Sequence, residues 1–158
     1  MSVPVCCYNF PEWDCKLLAP LTMVRASHDD IMIQTNGCGR EGIEDWLVPD
    51  TIWGLDISPV CRVHDWMYQQ AQESARRHRD QDKLTEDEHF ADGIFGANLI
   101  SLIKQKTRSK AVTWLRLRRA YKYVDAVALT DLLTVLPQPV LVAMGYETAT
   151  EAMGDMIC

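Results

Sequence analysis

What this chain of 158 residues lacks narrows the field before anything it contains does. No apolar run reaches the roughly 18–20 residues that cross a bilayer. The longest one, around Val135–Ala143, is cut by Pro137 and Pro139. A surplus of positive charge is missing too. Sixteen Lys and Arg face 22 Asp and Glu, for a net charge of -6, which argues against nucleic acid as the partner. The opening Met-Ser-Val-Pro-Val-Cys-Cys has neither a basic segment nor an apolar stretch long enough for a signal peptide. No Cys-x-x-Cys pair occurs, which argues against a zinc ribbon or a thioredoxin-type site. There is no internal repeat. Apolar residues at 47% and charged residues at 24% are ordinary for a folded chain, so the expectation is one soluble domain.

Charge is unevenly spread. Residues 1–60 hold three cations and nine anions, whereas all eight cations of residues 101–158 fall between Lys104 and Lys122, a stretch with no acid. That stretch reads as a solvated helix face or as a surface for something anionic, phospholipid headgroups or an acidic partner. Six cysteines stand at 6, 7, 15, 38, 61 and 158. Cys6, Cys7, Cys15 and Cys158 are read either as two further bridges or as free thiols, and arithmetic does not choose.

Residues 1–35 read as an irregular arm with a few short extended pieces, broken by Pro4, Pro11 and Pro20. Residues 36–57 have no helical period and contain Gly37, Gly39, Gly42, Pro49 and Gly54, the composition of a long functional loop. Ser58-Pro59 then reads as an N-cap with proline at the first helical position, opening a helix to about Arg79. A charged connection over 76–83 follows. Thr85 and Glu88 fit a capping box for a second helix with an apolar stripe of Phe90, Ala91, Ile94, Phe95, Leu99 and Leu102. A third helical region is expected from Ser109 to Leu136, and a short helix after Pro139.

The stretch that carries chemistry is Cys61-Arg62-Val63-His64-Asp65-Trp66-Met67-Tyr68. On a helix, positions 61, 64, 65 and 68 share one side. His64 and Asp65 point about 100° apart, which suits two separate tasks better than a mutual hydrogen bond. Asp92 stands in the middle of the apolar stripe of the next helix, and a buried carboxylate there needs partners. If the two helices run antiparallel, Asp92 meets the His64 ring and the Tyr68 hydroxyl, fixing the imidazole tautomer and leaving its other nitrogen as a base. Asp65 then faces the Gly-rich loop, where backbone carbonyls and carboxylate oxygens suit a hard cation such as calcium.

Cys-x-x-His-Asp-x-x-Tyr, preceded by Asn36-Gly37-Cys38-Gly39 and followed by Asp92, resembles secreted phospholipase A2, in a divergent form of that superfamily. The resemblance covers residues 36–103. It implies a mostly α fold, in which two antiparallel helices and a preceding calcium-binding loop form a phospholipase A2-like core. Additional C-terminal helices lie over 104–158, the whole forming one domain over 1–158. It also implies a Cys38–Cys61 bridge between loop and helix, closing about 24 residues and worth roughly 3 kcal/mol. Two other family bridges lose both ends together here, at Met67 with Ala91 and at Val60 with Asn98.

Roles follow from the same resemblance. His64 deprotonates a water that attacks the sn-2 ester of a glycerophospholipid in a membrane surface. Asp92 orients His64, Tyr68 supports Asp92, and the Gly39 amide adds a hydrogen bond. Calcium is held by Asp65 and by loop carbonyls of Gly37, Gly39 and Glu41. Glu41 stands where the commoner pattern has glycine, and Gly42 offers a loop shifted by one. Trp46, Trp53 and Trp66 near this site, and Trp114 in the basic stretch, suit either a lipid interface or the core. His28, His78 and His89 read as solvated.

Two other function classes compete. A metal phosphohydrolase of the HD superfamily would use His28, His64-Asp65 and Asp125. A non-enzymatic part of a virus or phage assembly would dock through the N-terminal arm and residues 104–158. A lipolytic enzyme carried on a virion, or exported by an unconventional route, would combine that location with catalysis.

Overall fold

The three prolines of the first 20 residues fall at the ends of elements, not in their middles. The computed structural model describes residues 4–38 and 50–127, the last three by backbone alone. Pro4 precedes strand β1 (Val5–Phe10), Pro11 opens the turn over 11–14, and Pro20 closes strand β2 (Cys15–Pro20). The strands pair antiparallel, with Cys6 opposite Ala19, Tyr8 opposite Leu17 and Phe10 opposite Cys15. These alternate positions share one face, and Phe10, Cys15, Leu17 and Ala19 on it are buried. The irregular arm expected over 1–35 is therefore a hairpin, followed by the short helices α1 (Leu21–Val24) and α2 (His28–Gln34). Its inner face is spent on the chain's own core.

Cys7 is disulfide-bonded, and the two further bridges considered for the remaining cysteines do not both form, because Cys6 and Cys15 are free thiols. Both lie on the inner face of the hairpin but four residue pairs apart, about 13 Å along the strands and far beyond bridging distance. Cys158 lies outside the described residues.

A second, minimal hairpin joins β3 (Thr51–Ile52) to β4 (Leu55–Asp56) and leads into helix α3 (Ser58–His78). The expected cap is off by one residue. Ile57 holds the N-cap position, and the Ser58 amide bonds instead to Asp56 Oδ1 at 2.9 Å. Arg79, left-handed at φ 53°, ends α3, and Asp80 starts helix α4 (Gln81–Lys106) by accepting from the Lys83 amide at 3.0 Å. The charged connection expected over 76–83 thus shrinks to residues 79 and 80. The capping box is also corrected. Asp80 is as good a cap as Thr85, and Thr85 lies inside the helix with its hydroxyl bonded to Gln81 O. Lys83 Nζ reaches back to Ser74 Oγ at 3.4 Å beside the turn, so α3 and α4 run antiparallel.

Helix α4 is the axis of the fold. Residues 90–100 are all buried, more than one face of a helix, because α3, β2 and helix α5 (Lys110–Val127) pack around it. Two amides on α4 finish the β2 edge. Asn98 accepts from the Leu18 amide at 2.7 Å and donates to Leu18 O at 2.8 Å. Gln105 does the same to Lys16, at 2.9 and 2.8 Å. Two side chains two helical turns apart thereby stand in for a third strand and close an edge that would otherwise be open to pairing. Asn98, where the resemblance marks a lost family bridge, here joins α4 to the hairpin. The expected third helix is present as α5 up to Val127, while its continuation to Leu136 and the tail after Pro139 lie outside the described residues. No helix among the described residues is long and apolar enough to cross a membrane.

Candidate active site

Helix α3 presents chemistry on two sides, as the 100° step between His64 and Asp65 requires. On the side facing α4, His64 Nε2 lies 2.9 Å from Asp92 Oδ1, and the Tyr68 hydroxyl donates to the same oxygen at 2.7 Å. Tyr68 follows His64 by one turn, with ring centroids 4.4 Å apart, and Phe95 closes the other side of the imidazole at 5.3 Å. The Asp92 side chain is only 4% exposed and that of His64 18%, so the carboxylate is sealed while the imidazole reaches solvent. Burial and the facing Asp92 carboxylate push the Tyr68 phenol far above its ordinary range, which keeps it a donor. An ionised carboxylate only accepts. The neutral imidazole then carries its proton on Nε2 and leaves the Nδ1 lone pair for a reacting molecule.

The other side faces the chain that follows α2. Asp65 Oδ2 accepts from the Asn36 amide at 3.1 Å, and the Gly37 amide also bonds to this carboxylate. Arg62 Nη1 donates to Thr35 O at 2.6 Å and to Thr35 Oγ1 at 2.8 Å, and Gln69 donates to Gln34 O. Three side chains of one helical face thus hold residues 34–37. Cys38 continues the attachment through a disulfide to Cys61, with Cα atoms 4.9 Å apart, and its amide donates to Asp50 Oδ1 at 3.2 Å. Gly37 takes φ 84°, a left-handed value open to glycine, and a Cβ there would sit 3.7 Å from Asp50 Oδ1. Burial raises the Asp65 carboxyl above its ordinary value, against the pull of His64, of the Asn36 and Gly37 amides and of Arg62.

A raised, half-buried carboxylate at a glycine turn offers oxygen alone, which suits a hard cation. Gly39 and Glu41, and with them the rest of the expected ligand set, lie outside the described residues. Among the described residues, no group of three or more His, Cys, Asp or Glu could hold a metal, and the Asp125 side chain of the alternative phosphohydrolase set lies outside them. His28 is not simply solvated, since its ring packs against Trp13 at 5.9 Å. A cavity of about 400 Å³ opens at the α3–α4 turn, between Arg76, Arg79 and Leu84, at the far end of the helix pair from His64.

Sequence reading singled out His64, Asp65, Tyr68, Asp92 and the two cysteines. It passed over Arg62, Gln69 and Asp50. The signal that could have found the first two is their spacing from Asp65, three before and four after, which puts all three on one face. Trp66 is buried with its indole bonded to Thr22 Oγ1 at 3.2 Å, whereas Trp53 is 64% exposed. Trp46 lies outside the described residues. Comparisons of this chain with protein-family models, with curated proteins and with solved structures found no match.

Proposed function

We propose that the protein hydrolyses the sn-2 ester of glycerophospholipids, with His64 as general base and a calcium ion held on the Asp65 side of α3. The observation that carries this reading is the imidazole bonded through Nε2 to a sealed carboxylate, with its other nitrogen unspent and Asp65 one residue away. His64 Nδ1 removes a proton from a water whose oxygen attacks the ester carbonyl. It then delivers that proton to the departing glycerol oxygen, giving a fatty acid and a lysophospholipid. Asp92 holds the ring in place and stabilises the imidazolium formed midway, and Tyr68 holds Asp92. Calcium, bound by Asp65 and the loop carbonyls of Gly37, Gly39 and Glu41, would supply a Lewis acid for the ester oxygen.

Fatty-acid release from a phospholipid carrying different acyl chains tests this, in excess calcium and in chelator, for the wild type and for His64→Gln. The expected result is release of the sn-2 chain alone, only with calcium and only by the wild type. Equal release by His64→Gln, or none by the wild type in calcium, would overturn the reading.

A further inference from the structure

The chain has no acidic residue between Asp92 and Asp125, and eight cations fall within that interval. Some of them are engaged within the chain. Lys106 Nζ pairs with Asp14 at 2.8 Å, and Arg116 reaches Thr107 Oγ1 at 2.7 Å and Trp53 O at 2.9 Å. Helix α5 buries Ala120, Tyr123 and Val124 on its inner face. Its outward face carries Lys110, Trp114, Arg118 and Lys122, all exposed and each four residues from the next. Steps of four keep them in one gently turning stripe. Trp114 is 59% exposed, and the Arg118 guanidinium lies 5.6 Å from the centre of its ring.

An ordinary solvated helix face mixes signs, and in a chain of net charge -6 a stripe of one sign stands against the overall balance. The indole chooses between kinds of anionic partner. Tryptophan is favoured at the headgroup level of a bilayer, and Lys and Arg lay their stems along apolar surface with the charge directed to phosphate.

We propose that the Lys110–Trp114–Arg118–Lys122 stripe of α5 docks the protein on an anionic phospholipid surface. The bilayer substrates of the ester site are then acidic phospholipids. That second statement rests on the function proposed above, whereas the docking does not. Helix α5 also lies outside the residues that resemble phospholipase A2.

The test is cosedimentation of His64→Gln protein in chelator, so that no lipid is consumed. The vesicles are phosphatidylcholine alone or phosphatidylcholine mixed with phosphatidylglycerol. Expected is binding at least about tenfold tighter to the mixed vesicles and weakened by salt. The added substitutions Lys110→Glu and Arg118→Glu should lower it at least about tenfold with an unchanged circular-dichroism melt, and Trp114→Ala should weaken it separately. Equal binding to both vesicles, or no response to the charge reversal, would overturn the proposal. So would binding to soluble polyglutamate as tight as to vesicles and indifferent to Trp114→Ala, which would assign the stripe to an acidic protein. Hydrolysis keeps the two ideas apart. With His64 intact, the charge-reversed protein should hydrolyse dispersed short-chain phospholipid at the wild-type rate and lose activity only on anionic vesicles. A wild type that hydrolyses nothing, beside a His64→Gln protein that still docks, would overturn the ester site and leave the docking surface standing.

Discussion

The two sides of α3 are built from adjacent residues by different means. Toward α4, His64, Tyr68 and Asp92 are all helical side chains, and their geometry follows from two antiparallel helices packed over Phe95. Toward the chain after α2, Asp65 receives backbone amides instead, and a disulfide supplies the attachment that helix packing supplies on the first side. Proton transfer needs a ring fixed in one orientation, which burial of a rigid pair provides. A cation site made from carbonyls needs a chain bent out of regular structure, which has few apolar contacts to hold it and benefits from a covalent tie. The difference teaches that the two sides should be separable by mutation.

The largest separation is expected from His64→Gln. Phospholipid hydrolysis should fall by about 10³-fold, within the range for a lost general base, while calcium affinity measured by calorimetry stays at the wild-type value. A stability change of the opposite kind comes from Cys38→Ser with Cys61→Ser. Denaturant unfolding should show a loss of about 3 kcal/mol, and calcium affinity should fall more than does protection of the α3–α4 amides from hydrogen exchange.

Asn98→Ala tests whether the hairpin supports α4 behind the dyad. It strands the Leu18 amide and carbonyl and should cost about 2 kcal/mol in unfolding, with calcium affinity unchanged. Calcium binding on the Asp65 side should answer to pH through its carboxyl. A proton competes with the cation for a carboxyl whose folded value is raised, so apparent calcium affinity should fall as pH drops through that raised value. Its slope approaches about tenfold per pH unit at the acid end. The same raised value means that ionised Asp65 costs stability in the calcium-free protein. In chelator, protonation relieves that cost as pH falls through the folded value, and Asp65→Asn should remove this part of the pH dependence. The smallest effect is expected from Tyr68→Phe. It removes one of two donors to Asp92 and should lower hydrolysis about fivefold, the equivalent of about 1 kcal/mol, with calcium affinity unmoved.

Much of the His64 side was legible in the sequence, because helical spacing alone places residues 61, 64, 65 and 68, and a carboxylate inside an apolar stripe must find a partner. The paired cysteines followed from resemblance and are bonded in the structure. The N-terminal hairpin was hidden by its prolines, which read as breaks yet mark the boundaries of β1 and β2. Local pattern had no means of showing that Asn98 and Gln105, 80 and 89 residues beyond their partners, would finish a strand edge. The start of α4 was misplaced because Asp80 and Thr85 are equivalent caps in isolation, and the left-handed Arg79 that decides between them is set by the packing of α3 on α4. Arg62 and Gln69 share a helical face with Asp65, but their partners at Thr35 and Gln34 lie 27 and 35 residues away, a pairing that local pattern does not show.

The most direct test of a two-sided α3 is calorimetric titration of calcium into the His64→Gln protein. The account predicts binding with wild-type affinity in a protein that no longer hydrolyses phospholipid. Loss of calcium binding along with hydrolysis would mean that the two sides are one site, and absence of binding to the wild type would mean that the Asp65 side is not a calcium site.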